Sequence, residues 1–129
     1  MIVKELISRD PVTIDPDSDL ITASKLMKKE GVGSLLVTEG DEPKGIISER
    51  DIISAIASDL PLKTKVRDVM STNLVTADAG TEIGEAAILM VSRGIRHLVV
   101  MEKGKVIGVI SLRDVARSLG LITTDLSIW

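Results

Sequence analysis

Apolar positions change their period in a fixed order along this chain, and they do so twice. Residues 10–14 are short and extended, bounded by Pro11 and Pro16, which predicts an edge strand. Leu20, Ala23 and Met27 then recur at helical spacing, which predicts a helix capped by Ser18 or Asp17, running through Glu30 and stopped by Gly31. The aliphatic runs 35–38 and 45–48, separated by the polar segment 39–44, read as a hairpin. From residue 48 to 57 the helical period returns through Ile52, Ile53 and Ile56. The polar stretch 58–65, with Pro61 and a Lys-Thr-Lys run, reads as a linker before the order β-α-β-β-α begins again.

The recurrence is visible in the residues themselves. With an offset of 63 and no gap, residues 3–57 align with 66–120, and 17 of the 55 positions are identical. The identities include Val12/Val75, Thr13/Thr76, Ala23/Ala86, Met27/Met90, Gly31/Gly94, Gly45/Gly108, Ser48/Ser111, Arg50/Arg113 and Asp51/Asp114. Units this small are marginal alone, so two copies that share a core about a pseudo-twofold axis are expected, with residues 1–60 as the first repeat and 61–129 as the second. The fold class is α/β (α+β).

Composition removes most catalytic and nucleic-acid functions. The 129 residues contain no Cys, a single His97 and no Phe or Tyr, so thiolate chemistry and multi-histidine metal centres are excluded. A Ser-His-Asp arrangement would rest on His97 alone, with no nucleophile-elbow motif nearby. Sixteen basic residues against 19 acidic ones give a net charge of −3, which with the missing aromatic platforms ranks nucleic-acid binding low. No apolar run approaches the ~20 residues of a membrane span. A cytoplasmic, non-enzymatic protein without membrane contact is the expectation.

The best-preserved block is Gly45-Ile46-Ile47-Ser48-Glu49-Arg50-Asp51, echoed by Gly108-Val109-Ile110-Ser111-Leu112-Arg113-Asp114. Ser-x-x-acid at a strand-to-helix turn has a plain structural explanation as a capping box. Two features ask for more: the acid is Asp in both copies although Glu reaches back more readily, and Arg50/Arg113 is kept although capping does not need it. A helix start also favours anions, and an Asp there accepts hydrogen bonds from two vicinal hydroxyls, as a ribose offers.

The duplicated unit, the pre-strand segment Gly94-Ile95-Arg96-His97-Leu98-Val99-Val100 and the doubled Gly-hydrophobic-x-Ser-x-x-Asp block resemble a pair of cystathionine beta-synthase (CBS) domains over residues 3–120. The resemblance implies a regulatory, energy-sensing module. It would bind AMP, ADP, ATP or S-adenosylmethionine in clefts between the repeats, need no cofactor beyond that ligand, form a homodimer and signal to an effector protein. By position, one cleft would use Ser48, Arg50 and Asp51 with Thr81, Ala86, Ile95, Arg96 and His97. The other would use Ser111, Arg113 and Asp114 with Ser18, Ala23, Val32, Gly33 and Ser34, while Thr13 and Thr76 would approach the base. The resemblance gives Asp51 and Asp114 the ribose hydroxyls, Ser48 and Ser111 the ribose or phosphate, and Arg96 with His97 the phosphates of the more highly charged ligand. The alternative is a structural or protein-interaction dimerisation module with clefts that no longer bind.

One inference does not depend on the resemblance. Lys25 and Lys28 mark a solvated face of the first repeat's long helix, but their counterparts are Ile88 and Val91. That apolar stripe requires a cover, either the tail 121–129 or a second subunit.

Overall fold

The computed structural model describes residues 1–120, so the expectation that the tail 121–129 covers Ile88 and Val91 lies outside the described residues. The chain runs through a 3₁₀ turn (Val3–Leu6), β1 (Thr13–Ile14), α1 (Leu20–Glu30), β2 (Ser34–Glu39), β3 (Glu42–Ser48) and α2 (Glu49–Ala57). A second 3₁₀ turn (Val66–Asp68), β4 (Thr76–Asp78), α3 (Ile83–Arg93), β5 (His97–Glu102), β6 (Lys105–Ser111) and α4 (Leu112–Ser118) follow. The mixed α/β class and the repeated β-α-β-β-α order are those the periodicity predicts.

Two three-stranded sheets form, ordered β1-β2-β3 and β4-β5-β6. In each, the middle strand pairs in parallel with the first and antiparallel with the third. Leu35 and Val37 point into one core while Leu36, on the opposite face of β2, is buried as well. Burial on both faces explains why the middle strands read as unbroken apolar runs instead of alternating ones.

The cap of α1 differs from the expectation. Asp19, not Asp17 or Ser18, accepts the Thr22 backbone N–H at 2.8 Å. Asp17 is engaged elsewhere: its Oδ1 accepts from Arg67 Nε at 2.8 Å. The Ser18 carbonyl accepts from the Val66 N–H, and α1 begins at Leu20, which puts Asp19 in the cap position.

The compact units are not the contiguous halves 1–60 and 61–129. One comprises Met1–Asp10 with the described residues from Val75 onward, the other Pro11–Leu74, so each repeat's leading segment folds with the other repeat's strands and helices. The bonds that hold the two segments correspond one to one under the 63-residue offset. Val3 N–H donates to the Thr81 carbonyl and Val66 N–H to the Ser18 carbonyl, both at 2.8 Å. Lys4 N–H donates to Ala79 and Arg67 N–H to Pro16; Ile83 N–H donates to Met1 and Leu20 N–H to Thr64. Side chains repeat the pattern, with Lys4 Nζ 2.9 Å from Glu102 and Arg67 NH2 3.4 Å from the equivalent Glu39. These ion pairs are exposed and screened by solvent, so they contribute little. Val3 and Val66, both 0% exposed within the two cores, carry more, because full burial of an aliphatic side chain is worth about 1.5–3 kcal/mol.

Close packing beneath each segment explains a glycine identity. A Cβ on Gly45 would lie 2.6 Å from the Ser71 carbonyl oxygen and 2.9 Å from Met70 Sδ. On Gly108 its three nearest atoms would all belong to the Ile7 side chain, the closest at 2.5 Å. Backbone cannot move aside as a side-chain end can. Gly45→Ala is therefore expected to lose about 2–3 kcal/mol and Gly108→Ala clearly less, as measured by urea unfolding; equal losses would contradict the close approach.

Acid sensitivity follows from the same region. Backbone hydrogen bonding from Thr22 lowers the pKa of Asp19, and the hydrogen bond from Arg67 lowers that of Asp17. A carboxylate with a lowered folded pKa contributes stability that is present above the unfolded value of about 3.9 and is lost as pH falls through the folded one. Asp19→Ala is thus expected to flatten the loss of stability between about pH 5 and pH 2, and a steeper loss in the variant would contradict the cap.

Candidate functional site

Each unit gathers most of the expected site residues of one repeat at a single sheet end. In the antiparallel pair β2–β3, Ser34 lies opposite Ser48; in β5–β6, His97 lies opposite Ser111. Residues paired in this way project from the same face with Cβ atoms about 5 Å apart. Just beyond, Glu49 N–H donates to the Gly33 carbonyl at 3.0 Å and Leu112 N–H to the Arg96 carbonyl at 2.8 Å. The parallel strands β1 and β4 begin beside the same end, where Thr13 pairs with Leu36 and Thr76 with Val99, both threonines exposed.

The capping box is present twice. Ser48 Oγ accepts from the Asp51 N–H at 3.3 Å while Asp51 Oδ2 accepts from the Ser48 N–H at 2.8 Å and from Ser48 Oγ at 3.1 Å. Ser111 Oγ accepts from the Asp114 N–H at 3.0 Å and Asp114 Oδ2 from the Ser111 N–H at 2.8 Å. Capping therefore occupies one carboxylate oxygen. A carboxylate has about four lone-pair sites on two oxygens, so Oδ1 keeps acceptor capacity. Capping and recognition of a diol are compatible roles of one side chain. α2, nine residues long, adds the favourable N-terminal field for an anion beside Ser48.

Other expected site residues have structural duties. Ala23 and Ala86, expected beside a ligand, are fully buried among the core side chains of α1 and α3. Ser18 and Thr81 give their carbonyls to Val66 and Val3. Val32 and Ile95 are half-buried just after the left-handed Gly31 and Gly94, and their N–H groups return to Met27 and Met90. Arg50 and Arg96 are exposed, whereas His97, Arg113, Asp51 and Asp114 are half-buried.

One neighbour was not singled out by the motif. Arg117 NH1 lies 3.7 Å from Asp114 Oδ1, one helical turn on; the equivalent of Arg117 in the first repeat is Ser54. The i,i+3 spacing was the available signal. Among the described residues there is no group of His, Cys, Asp and Glu that would hold a metal ion, and no helix is long and apolar enough to cross a membrane.

The CBS domain family model matches residues 3–58 and 66–121, one match per repeat. An uncharacterized protein of Methanopyrus kandleri is 38% identical over 117 residues, covering 88% of this chain; the chain spans 60% of that relative's length. A CBS domain protein from Pyrobaculum aerophilum, solved in complex with AMP, is 31% identical with a TM-score of 0.82, covering 94% of this chain and 98% of that one. A CBS domain pair solved in complex with 5′-methylthioadenosine and S-adenosyl-L-methionine is 26% identical with a TM-score of 0.84, covering 93% and 96%.

The capping geometry makes a stability prediction independent of any ligand. Ser48→Ala and Ser111→Ala should each cost about 1 kcal/mol in chemical denaturation. Unchanged stability in both would mean that the serines do not cap.

Proposed function

This chain belongs to the CBS domain family as a tandem pair, and from that premise we propose that it is a regulatory module binding adenosine-containing ligands at the two Ser-x-x-Asp segments, Ser48–Asp51 and Ser111–Asp114. The observation that carries the proposal is the division of labour within each carboxylate, Oδ2 closing the cap and Oδ1 remaining as an acceptor for ribose hydroxyls. The AMP, 5′-methylthioadenosine and S-adenosyl-L-methionine complexes of its structural neighbours support the same ligand class. The resemblance implies that Arg96 and His97 serve Asp51 and that Gly33 and Ser34 serve Asp114; strand register within each repeat instead supports grouping Thr13, Gly33, Ser34 and Arg50 with Asp51, and Thr76, Arg96, His97 and Arg113 with Asp114. In this role no bond is made or broken. The ligand level is relayed to a partner protein or to the protein's own oligomeric state in the cytoplasm, a setting in keeping with a chain that has no cysteine.

A homodimer is part of the proposal, because Ile88 and Val91 are each 70% exposed on α3 where the first repeat carries lysines. Ile88→Lys with Val91→Lys should convert the dimer to a monomer in sedimentation velocity. A wild-type monomer, or a double variant of unchanged mass, would contradict it.

The binding role is tested by thermal melts with AMP, ATP, 5′-methylthioadenosine and S-adenosylmethionine. A ligand at 100 times its dissociation constant stabilises the fold by about 2.7 kcal/mol, a rise on the order of 10 °C for a domain of this size. Asp51→Ala and Asp114→Ala should each remove one site, weakening binding there about thirtyfold for a loss of ~2 kcal/mol. Melting temperatures unmoved by all four ligands would favour the structural, non-binding alternative.

A further inference from the structure

We propose that Met70 is an oxidation site, at which a peroxide converts the thioether to the sulfoxide and loosens the segment 66–71 from the strand beneath it. Three observations meet at this side chain. Met70 is half-buried and packs on the core of the Pro11–Leu74 unit, so it is part of that packing and still open to solvent. Its Sδ lies against the backbone of β3, 2.9 Å from where a Cβ on Gly45 would stand. Its N–H donates to the Val66 carbonyl at 2.9 Å, and the next residue, Ser71, makes both bonds of a bridge to Ile46 in β3, each 2.9 Å long. Met70 therefore sits between the fully buried Val66 and the bridge that ties the segment to the sheet.

The co-reactant is hydrogen peroxide. A sulfur lone pair attacks one peroxide oxygen, the S–O bond forms as the O–O bond breaks, and the departing hydroxide takes the proton of the transferred hydroxyl and leaves as water. The thioether is oxidised and the peroxide reduced, and an apolar side chain becomes a polar one. Sulfur already fills the space that Gly45 leaves, so the new oxygen has no room on the β3 side. The Ser71 carbonyl, the atom nearest that point, is an acceptor like the sulfoxide oxygen and cannot pair with it. Turning the side chain out to water satisfies the oxygen and uncovers Gly45. The second unit lacks this sensitivity, because the counterpart of Met70 is Ile7, which covers Gly108 with carbon alone. Of the other methionines, Met27 and Met90 are buried, Met1 is exposed ahead of the first 3₁₀ turn, and Met101 is half-buried on β5.

The test treats the full chain and Met70→Leu, a volume-conserving change, with hydrogen peroxide, maps the added oxygen by peptide mass and follows amide hydrogen exchange. Oxidised wild type is expected to carry one oxygen at Met70 and to exchange the Val66 and Ser71 amides about tenfold faster, with the matching Val3 amide of the other unit clearly less affected. Methionine sulfoxide reductases should return both amides to their starting rates. Met70→Leu, which keeps Met1 and Met101, should hold its Val66 and Ser71 rates through the same treatment. A Met70 that stays reduced after Met1 and Met101 have reacted would overturn the proposal. So would unchanged Val66 and Ser71 rates in the Met70 sulfoxide, an acceleration of Val3 as large as theirs, or an equal acceleration in treated Met70→Leu.

Discussion

Two short segments, each folded into the unit of the other repeat, are the constraint on which the rest of the structure depends. Val3 and Val66 enter the two cores completely, and their amides close on Thr81 and Ser18. Without these insertions each core would lose a buried aliphatic side chain and the helix start beside it would lose its backbone partner, since Ile83 and Leu20 donate to Met1 and Thr64. Units of about 60 residues bury too little surface to be comfortably stable, and the exchange ties each one covalently to the other repeat. Gly45 and Gly108 are the local cost, positions where the sheet has no room for a methyl group beneath the inserted segment.

On that frame the sheet ends can be built from backbone pairing alone. Strand register places Ser34 against Ser48 and His97 against Ser111, and the capping boxes fix Asp51 and Asp114 with one oxygen committed to the backbone. A carboxylate held in this way is preorganised: its rotamer is set before a ligand arrives, and little ordering entropy is left for binding to supply. In the proposed reading the two roles are divided between the oxygens of one carboxylate, Oδ2 for the cap and Oδ1 for the ligand.

Element order, fold class and the serine-aspartate pairs were legible in the sequence because period and repetition are local signals. The Ser-x-x-Asp spacing announces its own cap, and the 63-residue offset identifies both copies. The segment exchange was not legible in the same way. Val3–Leu6 and Val66–Asp68 are single 3₁₀ turns, too short to show an apolar face, and nothing in their sequence says which repeat they join. The α1 cap was missed for a related reason. Asp17, Ser18 and Asp19 are all good caps, and Arg67, 50 residues away, engages Asp17 elsewhere. Ala23 and Ala86 were expected beside a ligand on resemblance; their helical spacing with Met27 and Met90 already marked the core face where they lie.

In the proposed reading Asp51 and Asp114 each cap a helix with one carboxylate oxygen and bind a ribose hydroxyl with the other. A crystal structure of the protein grown with AMP tests it most directly. A ribose hydroxyl is expected within hydrogen-bond distance of Oδ1 in at least one of the two residues, with Oδ2 still accepting the Ser48 or Ser111 N–H at about 2.8 Å. A bound AMP whose ribose touches neither carboxylate, or a carboxylate that abandons its cap to reach the ribose, would contradict it.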